Sequence, residues 1–309
     1  MAAPKVSILI PTYNQPDYLR QALKSIAMQT YKDMEVIITD DSEDDSVLSV
    51  VTEFSSDLKI RYFKNKVRKG SPENWNEAVA KSSGEYIKFL HHDDWFADKD
   101  SLQAYVQALE NNPQADFAFS CTNVCDTDRA VLYIQCPTNR ELSRLRKNPV
   151  NLFPDNFVGA PSATIYRRSV NKLFDTRLKW VVDIDFYISI LKENPVFVFI
   201  PKNAVCFTSG AHGQVTLECL NNKKVEMFEW IYLFNKINDS KITVLSHIFF
   251  IWILLLKHEI TTINELREYN IDPVPAWIPV LVAVNPILIP FVRIIKYLKK
   301  RKANNEKKR

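Results

Sequence analysis

From Lys5 to Glu110, short apolar runs alternate with amphipathic segments, and most of the runs stop at a polar cluster. Lys5 to Ile10, Met34 to Thr39, Lys59 to Phe63 and Glu85 to Leu90 read as buried strands. Between them, Asp17 to Gln29 puts Leu19, Leu23, Ile26 and Ala27 on one helical face, with an acid at its start. Asp45 to Phe54, Pro72 to Lys81 (with Pro in the first turn) and Ser101 to Glu110 supply the remaining helices. Strands separated by helices predict an α/β fold with a mainly parallel sheet covered on both faces. In such sheets the ligand crevice lies beyond the carboxyl ends of the strands. Pro11 to Asn14, Asp40-Asp41 and His91 to Asp94 all follow a strand, so three polar clusters should converge there.

The sharpest of these clusters is His91-His92-Asp93-Asp94-Trp95, directly after the apolar Tyr86 to Leu90. Two adjacent carboxylates at the mouth of a strand repel each other, and desolvation raises the cost. A divalent cation removes it, and hard oxygen ligands suit Mg²⁺ or Mn²⁺. Such a cation in turn suggests a phosphate-bearing ligand.

The length of 309 residues suits one large domain or two smaller ones. Only 5 Gly stand against 16 Pro, so no flexible linker is evident, and there is no internal repeat. Five scattered cysteines, Cys121, Cys125, Cys136, Cys206 and Cys219, lack zinc-site spacing and read as buried thiols of a reducing compartment. Charge is uneven. Arg293 to Arg309 holds nine Lys or Arg and one acid, Glu306, a surplus of +8, while residues 1–292 carry −4. A basic tail behind an apolar stretch points to an anionic surface. Val6 to Ile10 is too short for a signal-peptide core, so no signal peptide is expected.

Several motifs in order resemble glycosyltransferase family 2, whose enzymes have the GT-A fold. Lys5-Val6-Ser7-Ile8-Leu9-Ile10-Pro11-Thr12-Tyr13-Asn14 resembles the family's opening, and Glu35 to Ser42 its second strand. Gly84-Glu85-Tyr86-Ile87 leading to His91-His92-Asp93-Asp94 resembles its D-x-D region. The likeness covers roughly residues 4 to 216, and ordered motifs are far more specific than one alone. It implies a GT-A catalytic domain over 1–220 and a helical, apolar and basic extension over 221–309.

The resemblance also implies roles. Pro11 and Tyr13 would lie against the nucleotide base and Asp41 on the base or ribose, although Ser42 stands where the family usually has Gly. Gly70 and Asn76 fall in a segment that lines the nucleotide-sugar; a plain turn and a buried hydrogen bonder are the alternatives. His91 takes the first Asp position of D-x-D, Asp93 would reach the ribose or the metal, and Asp94 the metal. Phe157 to Ser162, with Gly159 and Ala160, resembles the loop beside donor sugar and acceptor. Trp180 to Phe186 resembles the family's "E-D" segment, with Val182 replacing Glu and Asp183 matching the general base. An N-cap role for Asp183 is compatible with that. His212, in His212-Gly213-Gln214-Val215-Thr216, resembles a residue that completes the metal or diphosphate site.

Beyond about residue 217 the likeness stops. Ile242 to Leu256 is an uncharged, mainly apolar run too short for a usual span. Val274 to Val292 is uncharged but contains Pro275, Pro279, Pro286 and Pro290, which argues against a straight spanning helix. Arg293, Lys296 and Lys300 share a helical face, which suits a segment in the membrane interface. A true span and a buried subdomain or dimer contact are the alternatives. The Gln-x-x-Arg-Trp motif of processive synthases is absent, which favours single transfer.

The combined expectation is an inverting glycosyltransferase dependent on Mn²⁺ or Mg²⁺. Its donor is a nucleotide-diphosphate sugar, most simply a UDP-sugar, and its acceptor a lipid-linked or cell-surface glycan. It would sit at the cytoplasmic face of a membrane, with an anionic surface as partner through its tail, a homo-oligomer as a further option, and no nucleic acid. A sugar nucleotidyltransferase and an inactive nucleotide-sugar-binding scaffold are the rival readings. The first would want a Gly-rich phosphate loop after strand one, and Pro11-Thr12-Tyr13-Asn14 is not one.

Overall fold

A computed structural model describes residues 3–210, 214–237 and 244–306, with no side-chain description for Val244 or for residues 295–306. His212 therefore lies outside the described residues, as do the side chains of Lys296 and Lys300. The chain folds as two compact units, Met1–Leu217 and Glu218–Arg309.

In the first unit the apolar runs become β1 (Val6–Thr12), β2 (Met34–Asp40), β3 (Ile60–Lys64) and β4 (Tyr86–Phe89), all paired in parallel. Helices α1 (Pro16–Ala27), α2 (Ser46–Glu53), α3 (Glu73–Lys81) and α4 (Ser101–Glu110) lie between and after them. β5 (Trp95–Phe96), β6 (Phe117–Cys125), β7 (Val131–Gln135), β8 (Thr164–Arg167) and β9 (Phe197–Thr208) complete one sheet. Its order is β3-β2-β1-β4-β8-β6-β9-β5, with β7 also paired to β6. β8 runs antiparallel to both β4 and β6, β9 runs parallel to β6, and the result is the mixed α/β sheet expected. α5 (Asn139–Lys147) and α6 (Val182–Glu193) follow β7 and β8.

Every residue of β1 and β2 is buried, because helices cover both faces. Val6, Ile8 and Ile10 join Val36 and Ile38 against Leu19, Leu23 and Ile26 of α1 and Val47 and Val50 of α2. Each such fully buried aliphatic side chain contributes roughly 1.5–3 kcal/mol. On the other face, Asn74 of α3 donates to Thr39 O (3.0 Å) and accepts at its own carbonyl from Thr39 Oγ1 (3.1 Å), which fixes α3 across β2. Gly84 is required where the chain turns into β4: a Cβ there would lie 2.5 Å from Ser7 N.

Three local expectations change. β1 and β2 run on to Thr12 and Asp40, because pairing partners and burial continue past the purely apolar residues. Pro72 sits at the N-cap of α3, one residue before its first turn. Cys121 and Cys136, expected as thiols, form a disulfide with Cα atoms 4.5 Å apart. The pairing of Thr122 with Gln135 across β6 and β7 puts them opposite one another. Cys125, Cys206 and Cys219 are buried and lie outside that disulfide.

The second unit is helical, with α7 (Val215–Cys219) leading into it, then α8 (Lys223–Ile237), α9 (Val244–Lys257), α10 (Ile263–Glu268) and α11 (Ile278–Glu306). Glu226 is fully buried yet held by Lys257 Nζ (2.7 Å), His258 Nε2 (2.6 Å) and Asn221 N (2.7 Å). α11 continues through Pro286 and Pro290. The packing of Ile278, Val282 and Ile289 on one side offsets the backbone hydrogen bonds that the prolines remove. Among the described residues no helix is long and apolar enough to cross a membrane.

Candidate active site

Parallel pairing of β1 with β2 and β4 brings Thr12, Asp40 and Leu90 to one end of the sheet. His92 Nδ1 lies 3.2 Å from Pro11 O, so the first and third polar clusters touch. The three clusters converge as expected, but their residues divide into structural and available ones.

Asp40 is structural. Its buried carboxylate accepts from Thr12 Oγ1 (3.1 Å), Ser42 N (2.9 Å) and Tyr62 OH (2.7 Å). Asp41 closes the neighbouring loop, accepting from Asn65 Nδ2 (2.7 Å), Lys69 N (3.1 Å) and Gly70 N (2.7 Å). Gly70 adopts φ +74°, a conformation that glycine takes without cost. The unusual Ser42 accepts from Asn14 N (2.8 Å), tying the first loop to the second. Tyr13 is half-buried, and the Arg68 guanidinium lies 3.8 Å from its ring centroid with Nη1 3.1 Å from its hydroxyl. Asn76 exchanges two hydrogen bonds with the Phe174 backbone (2.9 and 2.8 Å), the plainer of its two roles.

The His91–Asp94 turn is different. One ligand atom each from His91, Asp93 and Asp94 lies within 4.8 Å of the others. Asp94 is 1% exposed, and neither of its oxygens has a hydrogen-bond partner among the described residues; His91 Nε2 is likewise buried and unpartnered. Burial, reinforced by Asp93, pushes the Asp94 carboxyl well above its usual range although the nearby Ser162 hydroxyl, Lys88 and Thr208 backbone oppose the rise, and burial pushes His91 down to about 4. A neutral imidazole and two carboxylates at this spacing are a hard-to-borderline donor set, and such a set fits Mn²⁺ or Mg²⁺. In sequence His91 reads only as a replacement of the first Asp of D-x-D; its position in the motif is the signal that it could serve as a donor here.

Surrounding groups hold this turn. Asp93 Oδ2 accepts from Gln214 Nε2 (2.9 Å) and Asp93 O from Thr208 Oγ1 (2.6 Å). Gln214, two residues from His212, thus reaches the acidic pair. Ser162 Oγ accepts from His91 N (2.9 Å). Lys88, fully buried on β4, donates to Phe89 O (2.9 Å) and Ser162 O, with its ammonium 4.4 Å from the Tyr105 ring centroid. Burial pushes its pKa down to about 7, while Asp94 pulls it up.

Ser162 also ends the loop expected beside the donor. Gly159 adopts φ +96°, Ala160 precedes a 3₁₀ turn at Pro161–Ala163, and Tyr187 OH donates to Gly159 O (3.1 Å). Asn156, which sequence reasoning missed, ties this loop to the expected base. Its Nδ2 donates to Asp183 Oδ2 (2.7 Å) and Gly159 O (3.2 Å), and its Oδ1 accepts from Gly159 N (3.1 Å). Asp183 stands in the first turn of α6, with Val181 at the N-cap, and its Oδ1 accepts from Ile184 N (2.8 Å). It is therefore not the cap, although the positive end of the helix favours its charge. Residues 156–162 run from the carboxylate of Asp183 to the turn bearing His91.

Known proteins share this sequence family and fold. An uncharacterized glycosyltransferase of Rickettsia felis is 28% identical over 200 residues, 62% of this chain and 31% of that protein. This chain thus spans about a third of that relative's length. The UDP-Glc:alpha-D-GlcNAc-diphosphoundecaprenol beta-1,3-glucosyltransferase WfgD of Escherichia coli is 29% identical over 192 residues, 62% of this chain and 71% of that protein. Among solved structures, S. aureus TarS 1-349 in complex with UDP-GlcNAc superposes with a TM-score of 0.62 at 19% identity, over 82% of this chain and 72% of that one. The mannosyltransferase PcManGT from Pyrobaculum calidifontis, in complex with GDP-Man and Mn²⁺, gives 0.56 at 14% identity over 94% and 88%. At these identities the structures share the fold. The family model for glycosyl transferase family 2 matches residues 7–174, more than half of the sequence, and the chain belongs to that family.

Proposed function

We propose that this chain is an inverting, metal-dependent glycosyltransferase that moves a sugar from a nucleotide-diphosphate sugar, most simply a UDP-sugar, to a hydroxyl of a lipid-linked or cell-surface glycan. The observation that carries the reading is the cluster of His91, Asp93 and the buried Asp94, whose candidate ligand atoms lie within 4.8 Å of one another. Family membership supports the reaction class. The activity for which the Escherichia coli relative is named supports a UDP-sugar donor and a lipid-diphosphate acceptor.

In this reading residues 1–220 are the catalytic domain and 221–309 an extension that meets an anionic membrane at its cytoplasmic face. Pro11, Tyr13 and Asp41 receive the nucleotide, with Gly70 shaping the loop that Asp41 holds. His91, Asp93 and Asp94 hold Mn²⁺ or Mg²⁺, with His212 as a further donor. When bound, the cation offsets charge on the diphosphate leaving group. Gly159 and Ala160 let the donor sugar approach backbone. Asp183 accepts the proton of the acceptor hydroxyl as that oxygen attacks the face opposite the diphosphate.

The test is a panel of nucleotide sugars, with and without EDTA, on wild type and Asp183→Asn. The wild type should transfer from one donor and lose activity in chelator. Asp183→Asn should bind donor normally, with turnover lowered roughly 10²-fold or more. Activity persisting in chelator would remove the metal from the reading. Lost donor binding in Asp183→Asn, with normal turnover at saturation, would move that residue to the donor site.

A further inference from the structure

We propose that the outer sides of α9 and α11 form a docking face that lies flat in the surface of an anionic lipid bilayer. The inference deepens the reading of a membrane-borne acceptor by naming the side chains that enter the lipid.

α11 carries two apolar rows. Ile278, Val282, Asn285 and Ile289 recur at steps of four, three and four, and all are buried. Val280, Val284, Ile287, Phe291 and Ile294 recur at steps of four, three, four and three, and all are 38–67% exposed. At about 100° per residue, Val280 points some 200° away from Ile278, so the rows occupy opposite sides. α9 repeats the pattern. Ile251 and Leu255 are fully buried, while Leu245, Phe249 and Ile253, four residues apart, are exposed. A helix packed on one side needs one apolar stripe, and a second stripe calls for a second apolar partner.

The two helices are locked together. Asn285, fully buried, accepts from Trp252 Nε1 (3.1 Å) and donates to Ile260 O (2.8 Å), and Arg293 pairs with Glu259 (2.9 Å). The outer rows therefore belong to one packed pair of helices.

Charge selects the partner. No Asp or Glu occurs between Asp272 and Glu306, and from Arg293 to the end the surplus is +8. An anionic headgroup layer supplies the missing counter-charge directly beside the hydrocarbon that the apolar rows require. A second copy of the chain would bring the same surplus and no compensation. Because no described helix is long and apolar enough to cross, the helices lie in the interface rather than span it.

The experiment is flotation of the full chain with vesicles of phosphatidylcholine alone or mixed with phosphatidylglycerol, at low and high salt, alongside sedimentation without lipid. Wild type should float with the anionic vesicles. Ile287→Glu with Phe291→Glu, both exposed, should keep the fold by circular dichroism and lose about tenfold or more in partitioning at either salt. Lys299→Glu with Lys300→Glu should lose binding mainly at low salt. The proposal is overturned if the apolar pair of substitutions floats like wild type or if wild type floats with no vesicle. It is also overturned if those substitutions convert a dimer to a monomer without changing vesicle binding, which would assign the face to a second copy. Sugar transfer is not the readout. Vesicle binding by a chain that transfers no sugar defeats the proposed function alone, and transfer by a chain that binds no vesicle defeats this face alone.

Discussion

At the amino ends of β1 and β2, Glu35 is buried at 1% exposure and accepts from Ser7 Oγ, Ser83 N and Ser83 Oγ (2.7 Å each) and Arg61 Nη1 (3.1 Å). Beyond the carboxyl end of β4, Asp94 is just as little exposed and sits deeper, and the nearby Ser162 hydroxyl and Thr208 backbone give its oxygens no bond of good geometry. Burial opposes the Glu35 charge, yet donors outweigh it and hold that carboxyl below its usual pKa; at Asp94 burial prevails and the pKa rises. Two acids of equally low exposure, one in a strand and one in a turn, thus lie toward opposite ends of the sheet. The first is complete within the protein and joins β1, β2 and β3. At the second the donors nearby do not offset burial, and the unfolded chain would solvate it better. The contrast separates scaffold from site without reference to any relative.

The contrast breaks most sharply at Asp94. Asp94→Asn should reduce transfer roughly 10³-fold or more, because the cation site loses a charged ligand. The same substitution should leave the metal-free melting temperature unchanged or higher, since it removes a buried acid whose ionisation burial opposes. A large drop in melting temperature with activity retained would place Asp94 among the scaffold acids. Next in size is Asn156→Ala, which removes the hydrogen bonds Asn156 makes to Asp183 and Gly159. Turnover should fall about 10- to 100-fold with donor affinity little changed, a split visible in steady-state kinetics against titration of the nucleotide. A rise in donor dissociation constant alone would sever the link between residues 156–162 and the acceptor chemistry.

Glu35→Gln should behave in the reverse sense to Asp94→Asn. It should cost about 1–3 kcal/mol in urea denaturation while activity per folded molecule stays intact. The smallest effect is the pH dependence of that loss. The folded Glu35 carboxyl titrates below its unfolded value of about 4.3, so its contribution is full above that pH and fades as pH falls through the folded pKa. The stability gap between wild type and Glu35→Gln should therefore be constant from neutral pH down to about 5 and narrow below about 4. A gap that widened on acidification would reverse the assignment.

Much of this architecture is written in local pattern. The spacing of apolar residues predicts α4 at Ser101 to Glu110, as found, and places the first four strands within one or two residues, while β5 to β9 carry no such signal. The convergence of Pro11, Asp41 and His91 follows from parallel connectivity, which the alternation of elements implies. What local pattern does not carry is long-range register. Cys121 meets Cys136 only because β7 returns beside β6 in one register, and neither cysteine has a neighbour that announces it. Asn156 and Asp183 are 27 residues apart, and Gln214 and Asp93 are 121 apart. Lys88 reads as a charge interrupting a strand until Ser162 O and the ring of Tyr105 are seen around it. α11 was obscured for another reason: prolines argue locally against a helix, and burial of one side overrides them.

Arg68 over Tyr13 has a consequence for how a nucleotide would enter. The ring that a base is proposed to stack on already carries a guanidinium. Docking is then a trade of one stacked partner for another. A contact of this type is worth about 0.5–2 kcal/mol, and that amount is subtracted from whatever the base gains. The displaced Arg68 keeps its charge, and a diphosphate is the natural place for it to go. Base and phosphates would then be read together, and the affinity measured for a nucleoside without phosphates would report the difference between two stacks, not the strength of one.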